Sequence, residues 1–178
     1  MGHFHLMINH MPVVGTLFGV VLLAFGLKRE GADLKLAAFW TFMFVTVVAA
    51  ATYFTGDSAE EMLKHVPGVD GKALEKFIAP HEEAALVFLI AISVAGVLSA
   101  VAMVSHGKKN IVSPALLKIL MAVSVVALLL AFRTAQLGGQ IRHSEVRSAS
   151  IGAVEKAEAE EFEYMDADEN GMPDRANR

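Results

Sequence analysis

The stretch AALVFLIAISVAGVLSAVAMVS, residues 84–105, decides the fold because no charged side chain interrupts it. An α-helix needs about 20 predominantly apolar residues to cross the hydrocarbon of a bilayer, and this stretch meets that requirement. Three further segments are similarly apolar, and they cover residues 6–27, 36–56 and 111–135. Because 54% of the chain is hydrophobic and only 19% is charged, we predict an all-α integral membrane protein built as a four-helix bundle.

The composition also excludes several classes of site and partner. The chain has no cysteine, so a disulfide, a thiolate-bound metal, an iron–sulfur cluster and a covalently attached c-type haem are all excluded. Its net charge of -4 and the lack of a basic surface pattern argue against nucleic-acid binding. The first apolar segment has no basic region before it and no small-residue cleavage site after it, so we predict a membrane span and not a cleaved signal peptide.

The distribution of lysine and arginine predicts the orientation in the membrane. The two short connections between spans carry Lys28, Arg29, Lys35, Lys108 and Lys109. Basic residues near helix ends in short loops face the cytoplasm. We therefore expect a multi-pass protein of the cytoplasmic membrane that contacts lipid along its spans and has both chain termini outside.

Four histidines flank the spans at the end predicted to face outside: His10, His65, His81 and His143. Because they come from separate chain segments at a similar depth, they are candidate ligands of one cofactor or metal. If Asn9 caps the first helix, His10 lies in the first turn and its ring reaches water. If the helix instead begins near His3 and is kinked by Pro12, His10 lies below the surface, where a ligand role explains it better.

The long connection between the second and third spans is predicted to contain two short outer helices. Ser58 and Glu61 have the spacing of a capping box, which predicts a helix that ends near His65. Within that helix, Glu61 and His65 are four residues apart and share one face. A second short amphipathic helix is expected from Asp70 to Pro80.

Charged residues beside the histidines extend the candidate site. Glu82 directly follows the histidine that opens the third span. Arg133 lies within the outer end of the fourth apolar segment, where a guanidinium requires water or an anion. The anions considered are Glu61, Glu82, Glu83, a lipid phosphate and a haem propionate, and Arg142 is the other candidate for the propionate. The alternative is that these groups form only an interfacial collar.

The polar tail after the bundle carries a separate motif. We place the four-helix domain at residues 1–147 and a charged extramembrane tail at residues 148–178. The sequence DADENGMPD, residues 166–174, has the spacing of a shortened calcium loop, and Asn177 stands where a full loop has a glutamate, so weak calcium binding is expected. The alternative is an acidic disordered end. The candidate calcium ligands are Asp166, Asp168, Asn170, Met172 through its carbonyl, and Asp174.

Four motifs carry a resemblance to a known group of proteins: NHMPVVG at the start of the first span, TGDSAEEMLKHVPGV after the second, HEEAA at the start of the third and GGQIRHSE after the fourth. Over residues 3–147 the chain resembles a group of small, uncharacterised four-helix membrane proteins of bacteria. The resemblance implies a four-helix fold with a polar outer face that carries histidines, and we accordingly expect the bacterial inner membrane. In architecture alone, the chain is also similar to cytochrome-b-like haem bundles.

The first function hypothesis is a membrane redox protein. The bundle would bind one b-type haem near its outer face through two of the four histidines, with Arg133 or Arg142 on a propionate. It would pass electrons between a membrane quinol and an outer redox carrier. Gly15 and Gly19 would let a flat ring approach the first span. We favour this hypothesis because it uses the glycines, the arginine near the membrane edge and the lack of cysteine together.

The second hypothesis assigns the same histidines, with Glu61 and Glu82, to one or two divalent metal ions, for which zinc, iron and copper are the candidates. The clustered glutamates favour this hypothesis, because haem has no need of them. A third interpretation is a non-catalytic accessory subunit whose polar face only docks a partner protein.

Overall fold

The chain is all-α wherever the structure describes it. The computed structural model describes residues 2–66, 71–109 and 111–143, and within these ranges it contains helices and no strand. The helices are α1 (Gly2–Ile8), α2 (Met11–Lys28), α3 (Ala32–Phe54), α4 (Gly56–Lys64), α5 (Gly71–Lys109) and α6 (Pro114–Arg142).

Four helical stretches of the described residues are long and apolar enough to cross a membrane. Each exceeds the roughly 20 residues that the hydrocarbon requires, and each continues beyond the span expected from the apolar run alone. The predicted all-α membrane bundle of four helices is therefore confirmed. The stretches are Gly2–Lys28, Ala32–Lys64, Leu74–Lys108 and Pro114–Ile141.

The first span is broken close to its N-terminus. Asn9 and His10 form a turn between α1 and α2, and Pro12 lies in the first turn of α2. Proline has no N–H, so it cannot donate to the carbonyl one turn earlier, and the break falls where that bond is missing. Of the two starts considered, a helix that begins near His3 is observed, but it does not run through to His10: it ends at Ile8, and His10 is exposed. The residue at the N-cap of α2 is His10 and not Asn9, and it makes no side-chain capping hydrogen bond.

The short helix after the second span is present, but its start differs from the prediction. The helix α4 begins at Gly56, and Thr55 is both the C-cap of α3 and the N-cap of α4. Ser58, predicted to cap this helix, instead lies inside it. Because α3 passes into α4 through a single shared residue, the first turn of α4 forms earlier than a capping box would place it.

The prediction that the second short helix ends at Pro80 is wrong, because α5 runs without interruption through this residue. A proline inside a helix removes one hydrogen bond and clashes with the preceding turn. Here the turns on both sides are held by tertiary contacts. Leu74 and Ile78 are each only 7% exposed, and His81 is hydrogen-bonded to α6. These contacts offset the local cost of the proline.

The core forms where α3 packs between α2 and α5. Glycines allow the close approach of α2 to α3: a Cβ on Gly15 would lie 2.5 Å from Val45 Cγ2, and a Cβ on Gly19 would lie 2.6 Å from Phe42 Cε1. The largest completely buried side chains are Phe39, Phe42, Leu23, Ile92 and Leu120, so α6 also contributes to the core.

A polar contact fastens α3 to α5 within the apolar core. The Thr46 hydroxyl lies 2.9 Å from the carbonyl oxygen of Ile92 and 2.9 Å from that of Phe42 in its own helix. Gly96, one turn after Ile92, faces Thr46 so closely that any Cβ there would clash with the hydroxyl. In an apolar solvent this hydrogen bond between helices cannot be exchanged for one to water.

The chain divides into two compact units, Met1–Gly138 and Gly139–Arg178. All of the first five helices belong to the first unit. Of the second unit, the structure describes residues 139–143, where α6 ends at Arg142. The tail predicted at residues 148–178, with its candidate calcium loop at 166–174, lies outside the described residues.

Candidate functional site

Two histidines of the first unit have rings bonded to a neighbouring helix, and we call them the His5–His81 pair. His5 lies on α1, and its Nδ1 is 2.9 Å from the carbonyl oxygen of Thr52 and 3.3 Å from Thr55 Oγ1. The Thr55 hydroxyl itself donates to the carbonyl of Ala51, so towards His5 it acts as an acceptor. His5 thereby links α1 to the last turn of α3.

The second member of the pair makes the equivalent contact between α5 and α6. Nδ1 of His81 lies 3.0 Å from the carbonyl oxygen of Thr134. Gly138, one turn later on α6, provides space for the ring, because a Cβ there would lie 3.0 Å from His81 Cε1 and 3.2 Å from its Nδ1. A glycine and a carbonyl on one face of α6 therefore set the position of this imidazole.

The hydrogen bonds determine which ring nitrogen of each histidine carries the proton. A backbone carbonyl can only accept, so Nδ1 of His5 and Nδ1 of His81 each carry the hydrogen in the neutral imidazole. The lone pair is then on Nε2, which can coordinate a metal or accept a hydrogen bond. The two rings are in the same tautomer, because Nδ1 of each ring faces a backbone carbonyl.

The pair lies in a setting that is partly screened from solvent. His5 and His81 are each partly buried. The helix α1, which carries His5, packs on α4 and α3. His5 therefore lies where α1, α3 and α4 meet, and His81 lies on α5 against α6.

An unsatisfied acceptor lies one helical turn from His5. Asn9 donates its backbone N–H to the carbonyl of His5, at 2.9 Å, so the two side chains are four residues apart along one face. The Asn9 Oδ1 atom is buried and has no hydrogen-bond partner in the described part of the chain. A buried acceptor without a donor costs free energy.

Two of the predicted ligand histidines lie on the exposed surface. His10 caps α2 and is exposed. His65 is 75% exposed, and its Nδ1 lies 2.8 Å from the backbone carbonyl of Glu61 and 3.9 Å from the carboxylate of the same residue. Glu61 and His65 are therefore neighbours, as their spacing predicts, but the nearer contact of His65 is to the backbone of its own helix.

The acidic and basic side chains of α4 form ion pairs along the helix. Lys64 Nζ is 2.7 Å from Glu60 and 3.9 Å from Glu61. In residues 2–66, 71–109 and 111–143, no group of three or more His, Cys, Asp or Glu side chains is arranged to hold a metal ion. The prediction that Glu61 and Glu82 share a metal with the histidines stays a prediction.

The residues predicted on α6 fall in both units. Arg133 belongs to the first unit and is exposed. It makes no ion pair with any carboxylate of the described residues. Arg142 and His143 belong to the second unit, where the exposed His143 donates its backbone N–H to Gly139. Their part in a site, like that of His10, stays a prediction.

The sequence reasoning missed His5 and the three threonines that surround the pair. A signal for His5 was present: once the first helix begins near His3, His5 lies about two-fifths of a turn away from the His10 face. The partners of the two histidines gave a weaker signal. Thr52 and Thr134 bond the rings through their backbone carbonyls, and every residue type has such a carbonyl. Threonines in apolar helices usually bond their own preceding turn, as Thr134 does with Leu130.

Comparison with known proteins adds no relative: the chain matches no family model, no curated protein and no solved structure. The resemblance to small four-helix membrane proteins therefore stays a prediction. The candidate site stands on the geometry of the His5–His81 pair.

Proposed function

We propose that the protein binds one b-type haem at the end of the bundle that holds the His5–His81 pair, and that it carries electrons between a membrane quinol and a redox partner at the membrane surface. The observation that carries the proposal is that Nδ1 of each ring donates to a backbone carbonyl of a neighbouring helix. Histidines that bind metals almost always donate their other ring N–H in this way, which fixes the tautomer and the ring orientation.

The donor set suits haem iron. His5 and His81 would hold the haem through Nε2 of their two neutral imidazoles, and the chain has no cysteine that could attach it covalently. When bound, the haem supplies one-electron chemistry, while the protein supplies binding, orientation and electrostatics. His5 and His81 hold the ligand nitrogens, and the buried Asn9 Oδ1 is an acceptor for a donor at the same end.

The chain also supplies a cation, Arg133, for a haem propionate. Arg133 directly precedes Thr134, whose carbonyl holds His81, and it has no ion pair within the described part of the chain. A guanidinium at the edge of a membrane span is stabilised by an anion. Arg133 is thus the candidate to bind a propionate.

The position at the end of the spans supports the partners that we propose. A quinol diffuses within the lipid and reaches the helix ends from the side, whereas a water-soluble carrier reaches them from the surface. Neither partner has to pass through the apolar core formed by Phe39, Phe42 and Ile92. On this proposal oxidation of one quinol would release two electrons and two protons; His5 and His81 would hold the haem, which would supply the one-electron chemistry.

The test is the visible spectrum and haem content of the purified full-length chain with single histidine variants. We expect one haem per chain, a reduced α band, and loss of both in His5→Ala and in His81→Ala. The matched controls His65→Ala and His106→Ala should keep them. His10→Ala and His143→Ala test the other predicted ligands in the same series.

Other outcomes of the same test replace the proposal. A featureless spectrum together with one divalent metal ion per chain, lost in the two pair variants, assigns the histidines to a metal. A chain that holds neither haem nor metal after reconstitution reduces the His5–His81 pair to two hydrogen bonds that fasten helices.

A further inference from the structure

A second set of metal-binding side chains lies on the opposite, exposed face of the first span. It consists of His3, Met7, His10 and Met11, and we call it the histidine–methionine stripe. Met7 is 78% exposed and Met11 is 42% exposed, and both histidines are exposed. The stripe is separate from His5, whose ring is turned towards α3.

The spacing brings three of these side chains together. Met7, His10 and Met11 are at positions i, i+3 and i+4 of the sequence. The break between α1 and α2 falls between Met7 and Met11, but His10 itself has helical backbone angles, with φ −86° and ψ −20°. The three residues therefore lie within about one turn of backbone. His3 is one turn before Met7 within α1.

The stripe departs from what a lipid-facing surface requires. Farther along the same exposed face come Val14, Phe18 and Val21, which are 64%, 57% and 41% exposed and purely apolar. Lipid contact explains these three residues completely. It gives no reason for two imidazoles at the start of the face, where each loses hydrogen bonds to water as it nears the hydrocarbon. A bound ion would supply that reason.

The type of ligand selects the type of ion. Thioether sulfur is a soft ligand that favours copper(I), and imidazole also suits copper. Hard divalent ions need carboxylates, but the first acidic residue of the chain is Glu30, at the far end of α2. Thus α1 and α2 offer nitrogen and sulfur donors without oxygen anions.

We propose that Met7, His10 and Met11 bind one copper(I) ion on the exposed face of the first span, with His3 as a fourth ligand. This site is independent of the proposed haem: it uses the other face of α1, a different ion and different side chains. Its loss should leave the His5–His81 pair intact.

The test is an anaerobic titration of the full-length protein in detergent with copper(I) alone, in competition with a colorimetric copper(I) chelator. We expect one ion per chain. The double variant Met7→Leu/Met11→Leu should weaken copper binding by more than about 100-fold. Mutating a residue that only supports a metal ligand already lowers metal affinity by about 10–100-fold, and here two ligands themselves are removed. Leucine preserves the apolar surface, so the helix should remain folded. The control Met103→Leu/Met121→Leu should bind copper as the wild type does.

Two further readouts make the assignment specific. X-ray absorption at the copper edge should show sulfur neighbours in the wild type and not in the Met7→Leu/Met11→Leu variant. His10→Gln should weaken binding while His106→Gln should not. The proposal is overturned if the chelator removes copper equally well from wild type and double variant, or if copper is bound without sulfur neighbours.

Discussion

Gly138→Ala tests the packing of His81 against α6 most sharply, because the neighbouring Gly139 provides a matched control. The new Cβ would lie 3.0 Å from His81 Cε1, whereas ordinary van der Waals contact begins at 3.4 Å. The ring must therefore move by about 0.4 Å, which stretches its 3.0 Å hydrogen bond to Thr134 towards the limit of a useful contact. A Cβ on Gly139 meets nothing within 4 Å among the described residues.

The magnitude follows from two opposing terms. Replacing glycine by alanine inside a helix stabilises by roughly 0.5–1 kcal/mol, and both variants gain this. In Gly138→Ala, weakening the hydrogen bond of a partly buried imidazole costs up to about 0.5–1.5 kcal/mol. Because the gain from alanine is common to both variants, we expect Gly138→Ala to be less stable than Gly139→Ala by about 0.5–1.5 kcal/mol and to bind less haem.

The assay is reversible unfolding of both variants in mixed detergent micelles, followed by circular dichroism and by haem content. Equal unfolding free energies and equal haem content for the two variants would refute the reasoning, since they would mean that the His81 ring does not depend on the space at position 138.

Three further outcomes are expected. Thr46→Val removes the hydroxyl that bonds Ile92 O and should lower the unfolding free energy by about 1 kcal/mol. Gly19→Leu places a side chain where Cβ alone would lie 2.6 Å from the Phe42 ring, and it should destabilise by about 1–3 kcal/mol or more through overpacking. Protease added to intact spheroplasts should remove the segment after residue 147, since both termini are proposed to lie outside.

Each of these outcomes has a control. Thr41 bonds only the carbonyl of Ala37 in its own helix, so Thr41→Val should cost less than Thr46→Val. A Cβ on Gly107 meets nothing within 4 Å of the described residues, so Gly107→Ala should not destabilise. A tail protected from protease in spheroplasts, and cleaved only after lysis, would reverse the orientation.

The four spans could be predicted from the sequence because hydropathy along the chain is a local property. The uninterrupted apolar run at residues 84–105 needs no knowledge of its neighbours to be identified as a span. The ends of helices were less predictable. Pro80 breaks an isolated helix, yet α5 continues through it because Leu74 and Ile78 are buried against other helices, and that burial is a tertiary effect.

The sequence predicts at which end of the spans the candidate histidines lie, but not which of their side chains face the interior of the bundle. The sequence places histidines at one end of the bundle, and His81 was among those predicted. Which face of a helix turns inward depends on packing, so the exposed His10 was chosen and the partly buried His5 was missed. The partners of the pair were also hidden, because the carbonyls of Thr52 and Thr134 carry no side-chain signature.

The most direct test of the central claim is the haem content of His81→Asn. An asparagine amide can still donate to the carbonyl of Thr134, as His81 Nδ1 does, but it has no counterpart of Nε2. If Nε2 is an iron ligand, this variant should retain the helical content and unfolding free energy of the haem-free wild type and lose the haem and the reduced α band. Full haem occupancy in His81→Asn, with an unchanged spectrum, would contradict the account.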